Sequence, residues 1–351
     1  MARPSVNLKQ LAEQLGLSQT TVSRALNGFP EVSERTRARV QEAARRCDYR
    51  PSASAASLAT GRTFAVGNVV TQSDGIVIDP HFSDFIAGAG ETCARFGYDM
   101  LIRMAEREAE AGVYRDFVSR RRVDGVVVHG PTAADPRIAW LRSLALPFVV
   151  HGRADDGKAD HSWLDVNNER AFHRATDFLL DLGHRRIALL NGPEHLNFAA
   201  DRRRGHLRAM SCAGLEADPR LMSAEPMLES YGHRRTRELL ARAEPPSAVL
   251  CASTLIALGV VRALYESGLQ PGRQVSVLAY DDDLSFLHPS TRVEVPYLTA
   301  MRSSIRAAGR RVAEMLIERI ERPEGSPRAE LWEAELVVGT TTGPVCGMAR
   351  S

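Results

Sequence analysis

The chain has 351 residues, which is too long for one small domain and predicts two or three. Its hydrophobic fraction of 44% is ordinary for a globular protein, and no apolar run approaches the ~20 residues of a membrane span. The five cysteines are scattered without CxxC spacing, so we expect reduced thiols and neither a disulfide framework nor a zinc site. The N-terminus lacks the apolar core of a signal peptide, which favours the cytoplasm.

The net charge of +2 is distributed unevenly along the chain. The first 62 residues contain ten basic and five acidic residues, a net charge of +5, and the remainder carries −3. A basic head on a slightly acidic body indicates that the head binds a polyanion.

Two short amphipathic helices are predicted within residues 8–27, separated by Gly16, Leu17 and Ser18. Gly16 suits the left-handed end of the first helix, and the Ser18 hydroxyl can cap the second. The outward positions of the second helix carry short hydrogen-bonding side chains and one arginine: Gln19, Thr20, Thr21, Ser23, Arg24 and Asn27. This pattern indicates a helix-turn-helix that reads base edges. An ordinary helical hairpin with a polar solvent face is the alternative.

A third helix is predicted at 34–47, capped by Ser33, so three short helices form a compact head. The small residues that follow, SASAASLATGR at 52–62, allow two interpretations. One is a flexible linker. The other is a marginal helix that orders only on DNA and presents Leu58 as a wedge between base steps in the minor groove.

From Thr63 the pattern changes to alternating strands and helices, which predicts βαβ units and parallel sheets. Strands are predicted at 65–70, 99–104, 125–129, 148–151, 187–191, 248–251, 274–280 and 333–338. Helices are predicted at 82–96, 111–121, 138–143, 169–182, 202–212, 232–243, 255–267 and 305–320. The alternation restarts after Asp165, so we expect two lobes of similar size with a cleft between them. The chain from Leu298 onward is expected to pass through both lobes again.

An enzyme is the main rival class. Gly88-Ala89-Gly90 lies inside a predicted helix and lacks the third glycine of a dinucleotide fingerprint. No GxxxxGK[ST], GxSxG or HExxH motif occurs, and the histidines do not cluster at metal-ligand spacings. We therefore expect no catalytic residue, cofactor or metal.

At this point the chain resembles the LacI/GalR family of transcription regulators over essentially its whole length. The matching fragments in the head are LKQLA at 8–12, LSQTTVSRALN at 17–27, VSERTR at 32–37 and YRPSA at 49–53. Those in the body are FGY at 96–98, VDGV at 123–126, LGHRRIA at 182–188, ALG at 257–259 and YDD at 280–282. The resemblance implies an all-α helix-turn-helix head and an α/β two-lobed core, like that of periplasmic sugar-binding proteins, with parallel sheets.

The resemblance also implies a homodimer that binds a pseudo-palindromic double-stranded DNA operator, with no membrane partner. Carried over, Gln19 and Thr20 contact bases and Arg24 contacts a base or phosphate. Residues that mostly contact the DNA backbone would be Asn7, Ser18, Thr21, Ser23 and Asn27. Leu58 aligns with the family's intercalating hinge leucine. Two nearby positions that often carry a basic residue in the family carry alanine here, Ala56 and Ala59.

The resemblance also implies a small, sugar-like effector in the cleft. Arg202 and Asp281 match the family's effector-binding arginine and aspartate, and both side chains can pair with adjacent sugar hydroxyls. Phe82 matches an aromatic or apolar contact that can stack on a sugar face. Asn167 is a further candidate, as is Ser253, where many relatives carry Asn. His151, Phe198 and Trp163 are weaker candidates, and packing or an ion pair across the lobes is the alternative for all of these side chains.

The resulting domains are a head at 1–51, a hinge at 52–63 and a core at 64–351. The first lobe is expected at about 64–164 and 298–323, and the second at about 165–295 and 326–345. The expected function is a repressor of carbohydrate-utilisation genes, resembling regulators of α-glucoside use. A non-sugar effector such as a purine, an activator and a corepressor-dependent regulator are alternatives, and so is a DNA-binding protein with no effector.

Overall fold

The computed structural model describes residues 6–26, 29–47, 49, 60–71, 80–154, 160–284 and 296–345. The chain forms two compact units, Met1–Ala65 with Asp116–Asp124 and Val66–Arg115 with Gly125–Ser351. Two predicted DNA contacts, Asn27 and Leu58, lie outside the described residues, and so does most of the predicted hinge.

The first unit contains three helices of the head, α1 (Leu8–Leu15), α2 (Gln19–Leu26) and α3 (Glu34–Arg46). Their predicted inner faces form one apolar cluster, in which Leu11, Val22, Ala25 and Val40 are fully buried. Gly16 ends α1 in the left-handed conformation with φ of 62°, as its position after the apolar repeat predicts. The helix-turn-helix geometry is therefore present.

The second unit contains two six-stranded sheets, one for each lobe. The first sheet has the order β11-β5-β4-β3-β1-β2. Its strands are β1 (Ala65–Thr71), β2 (Asp99–Ala105), β3 (Gly125–His129), β4 (Phe148–His151), β5 (Ser162–Val166) and β11 (Ala329–Trp332). Its helices are α4 (Pro80–Arg95), α5 (Glu110–Ser119), α6 (Pro136–Ser143) and α11 (Ile305–Glu321). The pairs β1–β3 and β3–β4 are parallel, as the alternation predicts. The pairs β4–β5 and β5–β11 are parallel too, but β5 and β11 were not predicted as strands.

The second sheet has the order β12-β10-β9-β8-β6-β7. Its strands are β6 (Ile187–Asn191), β7 (Met222–Ala224), β8 (Ala248–Cys251), β9 (Ser276–Asp281), β10 (Thr299–Arg302) and β12 (Glu335–Val337). Its helices are α7 (Asn168–Asp181), α8 (Asn197–Cys212), α9 (Glu229–Leu240) and α10 (Thr254–Glu266). Among the described strand pairs of this sheet, β10–β12 is antiparallel and the others are parallel. Two short 3-10 helices, Arg107–Ala109 and Pro219–Leu221, complete the described elements.

The course of the chain between the lobes differs from the expected limits. β10 lies in the second sheet although 298–323 was expected in the first lobe, and β11 lies in the first sheet although 326–345 was expected in the second. The expected limit at 164/165 also falls inside β5. The outermost strand β11 alternates between exposed and half-buried residues, so it lacks the continuous apolar run that marks the central strands.

Small residues let helices of the same lobe cross closely. A Cβ added at Gly88 of α4 would lie 2.0 Å from the carbonyl oxygen of Arg306 in α11, and one at Gly309 would lie 2.1 Å from that of Phe85. At Gly90, in contrast, the nearest atom would be the Met100 sulfur at 3.5 Å, an ordinary contact. The Gly-Ala-Gly run is thus part of a helix crossing.

We expect Gly88→Ala to reduce the free energy of unfolding by about 1–3 kcal/mol, because the two helix backbones must separate. Gly90→Ala is the matched control in the same helix and should be neutral or slightly stabilising, since alanine is the better helix former. Urea unfolding followed by circular dichroism measures both. Equal effects of the two substitutions would contradict a close crossing at Gly88.

Candidate DNA-binding surface and effector cleft

The predicted base-reading helix α2 presents Gln19, Thr20 and Arg24 as exposed side chains, while Ser23 is half-buried. Two other predicted contacts form the start of this helix. The Ser18 Oγ accepts a hydrogen bond from the backbone N–H of Thr21 at 3.0 Å and lies 2.8 Å from the Thr21 hydroxyl. These hydrogen bonds cap α2, so Ser18 and Thr21 have a structural role, and their contacts with DNA stay a prediction.

Asn7 forms a capping box at the start of α1. Its Oδ1 accepts from the backbone N–H of Gln10 at 2.9 Å, and the Gln10 side chain accepts from the backbone N–H of Asn7 at 3.0 Å. A hydrogen bond links α3 to α1, since Arg39 of α3 donates to the carbonyl oxygen of Leu15 at 2.8 Å. The sequence motif at Asn7 therefore encodes helix stability as well as any contact with DNA.

A cavity of about 1330 Å³ in the second unit receives side chains from both lobes. We call it the cleft. Its first-lobe wall includes Phe82, His129, His151 and Arg153, and its second-lobe wall includes Asn168, Arg202, Tyr280 and Asp282. Many of these residues lie at or just after the carboxyl ends of parallel strands, where open α/β sheets bind ligands.

Arg202 is a buried cation at the second-lobe wall, with 5% of its surface exposed. Its Nε donates to Oδ1 of Asn168 at 2.8 Å, and its Nη1 donates to the carbonyl oxygen of Ala252 at 2.6 Å. The guanidinium carbon lies 3.9 Å from the ring centroid of Tyr280 and 4.9 Å from that of Phe198. Hydrogen bonds and aromatic faces thus replace the water that this charge loses on burial.

Two of the five predicted effector residues, Arg202 and Phe82, line the cleft. Asn167 does not: it caps α7 by accepting from the backbone N–H of Arg170 and donates to Glu333 at 3.0 Å. Ser253 is fully buried and caps α10 by accepting from the backbone N–H of Ile256 at 3.3 Å. Both side chains face the start of their own helices, which is why they do not reach the cavity.

Of the two neighbouring aspartates Asp281 and Asp282, the second lines the cleft and the first does not. The Asp281 carboxylate accepts from Nε of Arg302 at 2.9 Å and from the Thr254 hydroxyl at 3.2 Å. Asp282 lies 3.1 Å from Nε2 of His81. Alternate residues of a strand share a face, so Tyr280 and Asp282 point to the cleft while Asp281 points away. The carboxylate that faces the cleft is therefore that of the residue after the predicted one, and effector binding by Asp281 stays a prediction.

Two buried carboxylates and one arginine form a cluster at the cleft. Arg153 lies 3.7 Å from Asp201 of α8 and 4.0 Å from Asp165 of β5, so it bridges the two lobes. Asp165 and Asp201 are 5% and 2% exposed. Burial raises the pKa of Asp165 to about 7, and the Asp201 charge adds to the rise while Arg153 opposes it.

On the first-lobe wall, His129 and His151 form a pair. Their Nδ1 atoms lie 2.9 Å apart. Burial, together with the neighbouring His129, holds the pKa of His151 well below its usual value, which favours the neutral ring. Beside the pair, Arg137 forms a two-point hydrogen bond with Asp135 and donates to the carbonyl oxygens of His129 and Gly130.

Sequence reasoning did not select His129, Arg153, Asp165, Asn168 or Asp282, and it ranked His151 low. A positional signal was available, because these residues lie at or near the ends of predicted parallel strands or helix starts that face a cleft. No group of three or more His, Cys, Asp and Glu in the described part of the chain is arranged to hold a metal ion. Within the same residues, no helix is long and apolar enough to cross a membrane.

Known protein families match sequences in both units of the chain. Residues 7–52 match the model for bacterial regulatory proteins of the lacI family, and residues 176–342 match that for a periplasmic binding protein-like domain. The HTH-type transcriptional regulator AglR of Rhizobium meliloti is 47% identical over 97% of this chain and 95% of its own. The chain belongs to the lacI family.

Solved structures of this family share the fold. The transcriptional regulator CelR in complex with cellobiose has a TM-score of 0.69 and 29% identity, over 97% of this chain and 100% of its own. The lac repressor dimer bound to operator and the anti-inducer ONPF has a TM-score of 0.78 and 26% identity, over 96% and 99%. The predicted fold class is confirmed, and the lacI-family chain is a DNA-binding transcription regulator rather than an enzyme.

We expect Gln19→Ala and Thr20→Ala each to weaken binding to the specific operator by about 1–3 kcal/mol while binding to unrelated DNA is unchanged, because base contacts carry the specificity. The operator is first selected from a random duplex library, and fluorescence anisotropy then gives both affinities. Gln41→Ala, on the exposed face of α3, is the control. Loss of affinity for both kinds of DNA would argue that these side chains contact only the backbone.

The raised pKa of Asp165 predicts a pH-dependent stability. Since the folded state holds this proton up to about pH 7, Asp165 contributes stability at low pH that is lost as pH rises from about 4 to about 7. Asp165→Asn should therefore unfold at a higher temperature than the wild type above pH 7, and this advantage should vanish near pH 4. Thermal scans across this range measure it, with Asp181→Asn at the exposed end of α7 as the control. If the two unfolding temperatures differ by the same amount at all pH values, the titration of Asp165 is not the cause of the difference.

Proposed function

We propose that this lacI-family chain acts as a cytoplasmic homodimer that represses carbohydrate-utilisation genes. It binds a pseudo-palindromic double-stranded operator through α2 and the hinge at 52–63, with Leu58 as the minor-groove wedge. A neutral sugar, held in the cleft, controls its operator affinity. The assignment of a neutral sugar as the effector rests on the residues that line the cleft around the buried Arg202.

Arg202 is suited to sugar hydroxyls. Its Nε and Nη1 are held by Asn168 and Ala252, which fixes the plane of the guanidinium against Tyr280. A fixed guanidinium donates directional hydrogen bonds to hydroxyl oxygens. Phe82 and Phe198 supply apolar faces in the same cleft, on which the C–H face of a pyranose can lie.

The charge of the cleft disfavours an anionic effector. Among the described lining residues, eight aspartates and glutamates accompany four arginines, so acidic side chains are in excess even when Asp165 is protonated. Two of those arginines are already compensated, Arg137 by Asp135 and Arg153 by Asp165 and Asp201. A phosphate or carboxylate ligand would therefore meet excess negative charge, which supports an unphosphorylated sugar.

The size of the cleft supports an effector larger than one sugar ring. Its volume of about 1330 Å³ exceeds the upper end of the ~300–1,000 Å³ common for ligand pockets. The family relative CelR was solved in complex with cellobiose, a disaccharide. Both observations favour a disaccharide or trisaccharide for the present chain.

Control of DNA binding follows from the position of the effector. Side chains from both lobes line the cleft, and Arg153 already bridges them. An effector that contacts both walls favours one lobe arrangement over another. Because residues 52–63 precede β1 of the first lobe in the sequence, we expect a change in the lobe arrangement to alter the spacing of the two hinges in the proposed dimer. We expect a coupling free energy of about 1–3 kcal/mol between effector and operator.

The test is a thermal-shift screen followed by operator titration. The panel contains maltose, sucrose, trehalose, cellobiose and raffinose, with glucose 6-phosphate, trehalose 6-phosphate, hypoxanthine and guanine as other classes. We expect a neutral sugar to raise the unfolding temperature and to change operator affinity about tenfold, and the phosphates and purines to do neither. A response only to a phosphate or a purine would overturn the sugar assignment.

Arg202→Ala should abolish the sugar response and leave operator affinity in the absence of sugar unchanged, because the head is intact. Arg208→Ala, on the exposed side of the same helix, pairs with Glu169 and is the matched control. Light scattering should give twice the 38.5 kDa chain mass. A monomer, or an Arg202→Ala protein that still responds, would contradict the proposal.

A further inference from the structure

Three consecutive arginines, Arg120, Arg121 and Arg122, follow α5, and all three are exposed. Arg120 pairs with the Asp116 carboxylate at 2.5 Å, whereas the other two guanidinium groups form no ion pair with any residue that the structure describes. We call residues 120–122 the arginine turn. It presents at least two positive charges that are not compensated within the described part of the chain.

The backbone of the arginine turn closes α5 with a Schellman motif. The backbone N–H of Arg121 donates to the carbonyl oxygen of Val118 at 3.1 Å, and that of Arg122 donates to the carbonyl oxygen of Phe117 at 2.8 Å. Arg121 has a φ of 47°, in the left-handed region where a side chain costs free energy that glycine avoids. The arginine is thus held in a backbone conformation that its own side chain disfavours.

Other helices of the chain end in the same hydrogen-bonding pattern with different residues. After α4, α7, α8 and α10 the left-handed residue is a glycine, and after α6 it is an alanine: Gly97, Gly183, Gly214, Gly268 and Ala145. The next residue is buried or half-buried in each case: Tyr98, His184, Leu215, Leu269 and Leu146. A buried contact at that position frequently completes the motif. After α5 both positions carry an exposed arginine instead, and such departures from local preference are typical of functional sites.

Asp124, two residues beyond the arginine turn, holds the chain where the hinge ends. Its Oδ1 accepts from the backbone N–H and the hydroxyl of Thr63 at 2.7 and 2.9 Å, and its Oδ2 accepts from the backbone N–H of Phe64 at 2.9 Å. The backbone N–H of Asp124 donates to the carbonyl oxygen of Ala65 at 2.8 Å. Residues 116–124 belong to the same compact unit as the head. The arginine turn is therefore fixed beside the last residues of the hinge.

The length of the intervening chain limits how far the arginine turn lies from the operator. Leu58 precedes Thr63 by five residues, and five fully extended residues span at most ~18 Å. A DNA duplex carries one phosphate charge per ~1.7 Å of its axis, so several phosphates fall within that distance of the minor-groove wedge. When Leu58 enters the groove, the arginine turn is consequently close to the phosphates that flank the opened base step.

We propose that the arginine turn is a phosphate-binding site, through which each subunit contacts the operator backbone beside the base step that Leu58 opens. This proposal rests on the proposed DNA-binding function and adds a contact from outside the helix-turn-helix and the hinge. Guanidinium groups form paired hydrogen bonds with phosphate oxygens. Two hinge positions that are often basic in the family carry Ala56 and Ala59 here, and Arg121 and Arg122 supply that positive charge from the turn.

The experiment replaces both arginines by residues of the kind that end α8 and α10. In this uncharged variant, Arg121→Gly with Arg122→Leu, the unfolding temperature should equal or exceed that of the wild type, because the backbone strain is relieved. Operator affinity at 0.1 M salt, measured by fluorescence anisotropy without sugar, should nevertheless fall at least about tenfold. Arg121→Lys with Arg122→Lys keeps the charge and should lose less. Arg208→Ala with Arg273→Ala removes two exposed charges from the second lobe and is the matched control.

The salt dependence of binding identifies phosphate contacts. Each neutralised phosphate contributes about 0.9 to the slope of log affinity against log salt concentration. Since a dimer of the uncharged variant lacks two arginines in each chain, its slope should be shallower by about 3–4, and the control should keep the slope of the wild type. Equal slopes in the wild type and the uncharged variant would overturn the phosphate-binding site and leave the proposed function standing. Failure of the wild type to bind any selected duplex would instead overturn the proposed function, and the site with it.

Ethylation interference locates the contacts on the operator. Ethylated phosphates beside the central base step should block binding of the wild type, and this interference should disappear in the uncharged variant. Interference in the two half-sites should remain, because α2 is unchanged. An identical pattern in both proteins would contradict the proposal. Light scattering tests a contact between subunits instead: an uncharged variant that is monomeric where the wild type is dimeric would also overturn the assignment to DNA.

Discussion

The burial of the Arg202 charge is the constraint around which the cleft is built. A guanidinium removed from water is tolerated only when fixed partners replace its hydration. Asn168 from α7, the carbonyl of Ala252 after β8 and the ring of Tyr280 from β9 provide them. Three neighbouring elements of the second lobe are thereby held in register at one point. The cavity wall is consequently rigid where an effector is expected to bind.

Two other arginines of the cleft pair with carboxylates, one across the lobes and one beside its own strand end. Arg153 joins the first lobe to Asp201 of the second, while Arg137 is satisfied beside its own strand end by Asp135. The two kinds of pairing have different consequences. An ion pair between the lobes breaks or forms when the lobes move, so it can contribute to the conformational change. A local ion pair is kept during that movement and stabilises the wall of the cleft. The His129–His151 pair stands on such a fixed wall.

Much of the fold was predictable because its signals are local. Helical periodicity gave α1 to α3 and most helices of the core, and apolar runs gave β3, β4, β6 and β8 at their observed limits. The site was less predictable. Arg202 and Phe82 reach the cleft, but the neighbouring residues Asn168 and Asp282 replace the expected Asn167 and Asp281. The helix cap formed by Asn167 and the alternation of β9 decide these one-residue differences, but only the folded structure shows which face of each element borders the cavity.

The sequence by itself determined the helix-turn-helix, the two-lobed α/β class and the family, because periodicity, caps and ordered fragments are properties of adjacent residues. Only the tertiary structure decided which strand joins which sheet, since β10 and β11 obtain their partners from distant segments. It alone placed His129 beside His151 and Arg153 beside Asp165 and Asp201. Protonation depends on such neighbours and on burial, which are set when the sheets are assembled. The chemistry of the cleft is therefore a property of the folded chain.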